Sequence, residues 1–101
     1  MKSLLLAALL VSAPIAAQEM TPKKVCANLH KVSGEIMKAR QLEKPITEVI
    51  DTLGEDEATQ QLIMEAYKRP AFSTEKYRIK AAKKFANETY VGCMFIVLGG
   101  E

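Results

Sequence analysis

Cys26, His30 and Cys93 are the residues of this chain best equipped for chemistry. Cys26 and His30 stand four apart, so on a helix they share a face and form half of a copper or zinc site. Met20, Met37, Met64 and Met94 offer thioethers, which would tilt such a site towards monovalent copper. The same pair has the types of a nucleophile and its base. No third orienting group, oxyanion-hole motif or second histidine accompanies it. A dithiol redox centre wants Cys-x-x-Cys, whereas these cysteines sit far apart. Glu48, Asp51 and Glu65 show no spacing that selects an acid–base pair. The stretch Asp51–Glu57 lacks the alternating ligands and central glycine of a calcium loop. Everything therefore turns on whether the two thiols are free.

The start of the chain answers that question. Met1–Ala17 has one charge (Lys2), an apolar run from Leu4 to Val11, Pro14, and the small pair Ala16-Ala17. This is the order of a secretory signal peptide, with cleavage expected after Ala17. The apolar run is too short to span a bilayer, which takes about 20 residues, and no later stretch is longer. Export to the periplasm or beyond places Cys26 and Cys93 in an oxidising compartment, where they are expected to form a disulfide. A bonded Cys26 removes both the metal half-site and the nucleophile. No cofactor and no enzymatic activity are expected.

Residues 18–101 remain as one small domain, and their periodicity predicts four helices. Thr21-Pro22 is a helix-starting pair, followed by the stripe Val25, Leu29, Val32, Ile36, with an end near Gln41 ahead of Pro45. Ile46, Val49, Ile50 and Leu53 make a short second helix stopped by Gly54. Acidic Glu55-Asp56-Glu57 suits the start of a third, which runs past Ala58, Leu62, Ile63, Ala66 and Tyr67 to Pro70. The fourth begins near Ser73 or Thr74 and carries Tyr77, Ala81, Ala82, Phe85, Ala86 and Thr89. Cys93 is on the stripe of Ala82, Ala86 and Thr89 and so is expected to face inward. Tyr90–Leu98 has strand-like composition but no partner strand, so the helix is continued to Val97 and ended at Gly99-Gly100. The expected fold is all-α, a small single-domain bundle clamped by one disulfide.

Net charge is small, +2 for the whole chain, but it is segregated. Glu43–Glu65 holds seven acids and one lysine, and Lys68–Lys84 holds seven bases and one acid. Nucleic-acid binding would want a strong net positive charge and interleaved aromatics, and neither is present. The basic run of the fourth helix (Arg78, Lys80, Lys83, Lys84) and the apolar end near Phe95 are the expected contact surfaces. Phe95, Ile96, Val97 and Leu98 are consecutive, so a helix points them in all directions. Either the short second helix covers them or a partner does. Arg40 and Tyr67, each at a helix end near the loops, are secondary candidates.

Cys26 at the head of the first helix, Ala39-Arg40-Gln41 at its end, Glu65-Ala66-Tyr67 with Pro70, then Phe85 and a closing Cys93, form a recognisable series. It resembles a type of short exported bacterial protein, often linked to prophages, that has no assigned activity. The resemblance implies export, a helical fold and the cysteine pair, and carries no catalytic residues. In size and architecture the chain is also similar to small periplasmic acid-stress chaperones. The expectation is an exported, non-catalytic protein that binds or modulates an envelope protein. A pH-responsive chaperone and a copper- or zinc-binding periplasmic protein are the alternatives.

Overall fold

A computed structural model describes residues 21–99, which fold into four α-helices. The expected signal peptide, Met20 and Gly100 lie outside the described residues. Helix α1 spans Pro22–Gln41, α2 Ile46–Leu53, α3 Glu57–Tyr67 and α4 Glu75–Val97. Tyr90–Leu98 is thus helical to Val97, as the lack of a partner strand requires.

The boundaries follow from local chemistry. Thr21 caps α1, its Oγ1 accepting from the Lys24 amide at 3.2 Å, and Pro22 occupies a first-turn position where no amide hydrogen is needed. Lys38 and Arg40 sit at the negative end of α1. The chain leaves α1 through Glu43, whose φ of 60° is in the left-handed region. Glu43 N donates to Arg40 O (2.8 Å) and Lys44 N to Ala39 O (3.1 Å), the paired bonds of a Schellman cap with glutamate where glycine is usual. Gly54 ends α2 because the chain passes too close for a side chain. A Cβ there would meet Ile50 O at 2.9 Å. Gly99, at φ 87°, ends α4.

Helices α1 and α4 run antiparallel and form the backbone of the fold, with α2 and α3 packed as a second layer chiefly against α1. Ile36, Met37, Val49, Ile63, Ala66, Ala82 and Phe85 make the buried core. Each of the larger aliphatic and aromatic side chains among them contributes about 1.5–3 kcal/mol by leaving water. The two long helices approach closely where Gly34 faces Ala86; a Cβ on Gly34 would stand 3.7 Å from that of Ala86. Ser33 is buried beside this crossing, and its hydroxyl donates back to Leu29 O at 2.8 Å.

Candidate functional site

Cys26 and Cys93 are joined by a disulfide with their Cα atoms 5.5 Å apart. It ties the first turns of α1 to the last turns of α4. This overturns the alternative metal site at Cys26 and His30, because a sulfur bonded to sulfur has no thiolate to offer a metal. Among the described residues no group of three or more His, Cys, Asp or Glu gathers as metal ligands would. His30 is engaged with α4 instead. Its Nε2 lies 3.1 Å from Asn87 Oδ1, and its ring meets Tyr90 edge-on at 5.9 Å.

The secondary candidates Arg40 and Tyr67 meet. The Arg40 guanidinium lies 5.2 Å from the centre of the Tyr67 ring, and its Nε donates to Arg69 O at 2.8 Å. Tyr67 in turn donates its hydroxyl to Lys44 O at 2.6 Å. Burial pushes the Tyr67 phenol above its ordinary pKa, outweighing the opposing pull of Arg40. Beside them stands Gln41, which sequence reading passed over. It is buried at 3% exposure and all its polar atoms are engaged. Its Nε2 donates to Pro70 O (2.9 Å) and to Met37 Sδ (3.3 Å), and its Oε1 accepts from Phe72 N (2.8 Å). Arg69 completes the cluster, stacked 4.8 Å over Phe85 and paired with Glu88 at 2.7 Å. These contacts fasten the end of α1 to the loop between α3 and α4. Each of these side chains makes a hydrogen bond or ion pair within the chain, so the cluster acts as a structural latch.

The expected basic face of α4 divides three ways. At 3.6 residues per turn, Lys80 and Lys84 point away from the core residues Ala82, Phe85 and Ala86. Lys83 stands on the flank above α1. Arg78 is half-buried on the inner side, its Nε donating to Phe72 O at 2.9 Å. Arg78 and Lys83 thus border one hollow, while Lys80 and Lys84 lie on the other side of α4.

Two hollows follow the valley between α1 and α4. One, of about 580 Å³, is lined by apolar Leu42, Ile79 and Ala82 together with Lys38, Gln41, Arg78, Lys83 and one acid, Glu75. It continues into a second, of about 410 Å³, lined by Lys31, Gly34 and Ala86 among others. Leu42 and Ile79 are large apolar residues left 62% and 49% exposed.

The end of α4 is the other anomaly. Phe95 is 57% exposed, and Val91, Ile96 and Leu98 are more so. The short helix α2 does not cover them; it packs on α3 and α1. Nothing else among the described residues closes over this end. No helix among these residues is long and apolar enough to cross a membrane. Comparison of the chain with protein-family models, with curated proteins and with solved structures finds no match, so its function is argued from this geometry alone.

Proposed function

We propose that the chain is an exported, non-catalytic binding protein that holds a segment of an envelope protein in the valley between α1 and α4. The observation that supports this most is the hollow lined by Leu42, Ile79 and Ala82, where three cations, Lys38, Arg78 and Lys83, outnumber one acid, Glu75. Apolar lining and cationic excess together fit an amphipathic helix with an apolar stripe flanked by carboxylates. The contribution of Arg78 is to be fixed in place: its bond to Phe72 O holds the guanidinium at the hollow before any partner arrives. Catalysis has no support: His30, held by Asn87 at 3.1 Å, lines the valley with no nucleophilic Ser, Thr or Cys among the lining residues.

The experiment is site-specific photocrosslinking in living cells from Ile79, with exposed Met64 on α3 as the control position. A discrete envelope protein captured from Ile79, absent from Met64, and lost with Lys38→Glu plus Lys83→Glu is the expected result. No adduct from Ile79, or the same adducts from both positions, refutes the reading.

A further inference from the structure

The exposed end of α4 lies outside the valley and calls for an occupant of its own. Met94, Phe95, Ile96, Val97 and Leu98 are consecutive on a helix, so apolar side chains emerge around most of its circumference. Exposed Val25 adds to them from α1. A protein groove covers one stripe of a helix, whereas a lipid interface conforms to an end that is apolar on several sides. Cations are arranged to match. Lys80 and Lys84 lie on the same outward side of α4 as Val91, Phe95 and Leu98, two to five turns back. The Cys26–Cys93 bond fixes the antiparallel register, so exposed Lys23 and Lys24 stand level with Ile96 and Phe95 on the neighbouring helix. Of the acidic groups among the described residues, Glu65 and Glu88 border the flank by Ile96 and Val97, Glu88 already paired with Arg69, and Asp56 and Glu57 begin α3.

From this we propose that the joined end of α1 and α4 seats on an anionic bilayer surface. Leu98 and Phe95 enter the acyl boundary, and Lys23 and Lys24, level with them on α1, reach the headgroups. Val91 to Leu98 measures about 10 Å along the helix at 1.5 Å per residue, and interfacial helices bury their apolar faces about 5–10 Å deep. Long lysine stems beside the inserted turn extend outwards to keep their charges in the headgroup layer. The attachment is peripheral and reversible, and leaves the α1–α4 valley free.

The test is flotation of the oxidised protein, residues 18–101, with vesicles of phosphatidylethanolamine and phosphatidylglycerol, against vesicles of phosphatidylcholine. Binding to the anionic vesicles is expected, at least tenfold weaker on phosphatidylcholine and weakened by salt. Phe95→Ser with Leu98→Ser should abolish binding while helicity and the disulfide persist. Lys23→Gln with Lys24→Gln should weaken it roughly 25-fold, about fivefold per lysine, from about 1 kcal/mol for each cation at an anionic surface. Absence of binding to the anionic vesicles overturns the proposal, as does equal affinity for both compositions. So does a concentration-dependent dimer, lost on Phe95→Ser with Leu98→Ser, in protein that ignores vesicles; the occupant would then be a second copy. None of these results alters the crosslinking expected from Ile79, so the two readings stand or fall separately.

Discussion

Replacing Gln41 with leucine tests whether the latch between α1 and the α3–α4 loop is held by hydrogen bonds or by packing. Leucine keeps nearly the same volume in a site only 3% exposed, so no cavity is opened. It removes the donor to Pro70 O and the acceptor for Phe72 N, bonds of 2.9 and 2.8 Å. A buried polar group left without a partner costs about 1–3 kcal/mol, and two are created. Pro70 and Phe72 are themselves exposed residues, so water reaches part of the gap and the lower half of the range applies. The expected loss is about 2–4 kcal/mol, a large fraction of the 5–10 kcal/mol typical of small domains. Urea titration of the oxidised protein, followed by far-ultraviolet circular dichroism, measures it. Gln41→Glu adds a sharper signature. Its carboxylate can still accept from Phe72 N but faces Pro70 O without a proton to donate. The native state therefore favours the protonated acid, and the folded pKa rises above the unfolded one. The penalty is then smallest below the ordinary glutamate pKa and grows as pH rises through the raised value. A loss below 0.5 kcal/mol for Gln41→Leu would refute the reasoning. So would a Gln41→Glu penalty that is flat with pH.

Three further outcomes follow from the same structure. Removing the disulfide, by Cys26→Ser with Cys93→Ser, should cost about 4 kcal/mol, the chain-entropy value for a closed loop of this length; the bonded cysteines are 67 residues apart. A loss under 1 kcal/mol in urea titration would show that the unfolded chain is already compact. Glu43→Gly should raise stability by about 0.5–1 kcal/mol by relieving a left-handed glutamate, and any loss would mean that the carboxylate itself does something at the cap. Tyr67 should ionise above the ordinary tyrosine range in an ultraviolet pH titration, a component missing from Tyr67→Phe. Since its folded pKa is raised, its contribution to stability is complete below the unfolded tyrosine pKa. That contribution is lost as pH rises through the folded value. A Tyr67→Phe variant with the same alkaline unfolding curve would contradict it.

The helices were legible because their punctuation is local. Thr21-Pro22, Pro45, Gly54, Pro70 and Gly99 act within one turn, and each marks a boundary in the structure. The cysteine pairing was legible because two cysteines leave one option. Glu43 was not, since its cap uses a residue that carries no turn signal and is held left-handed by the bonds around it. Gln41 escaped for another reason: a glutamine at a helix end looks solvated until the loop 31 residues later folds over it. The run Arg78–Lys84 reads as one basic block along the chain, but a turn of 100° per residue distributes it over three sides of α4. Tyr67 and Arg40 were singled out for their positions, and their meeting depends on the packing of α3 against α1, which no short-range pattern encodes.

The bond between Cys26 and Cys93 also fixes how the molecule bears force and cutting. Residues 21 and 99 lie at the same end, five and six positions outside the linked cysteines. A pull applied between them is carried by the sulfur–sulfur link and the short stubs beyond it. The core of Ile36, Ile63 and Phe85 lies inside the closed loop and feels none of that tension. Likewise a peptide bond cut at the exposed Glu55-Asp56 turn leaves two pieces still tethered, free to pack again without having to find each other.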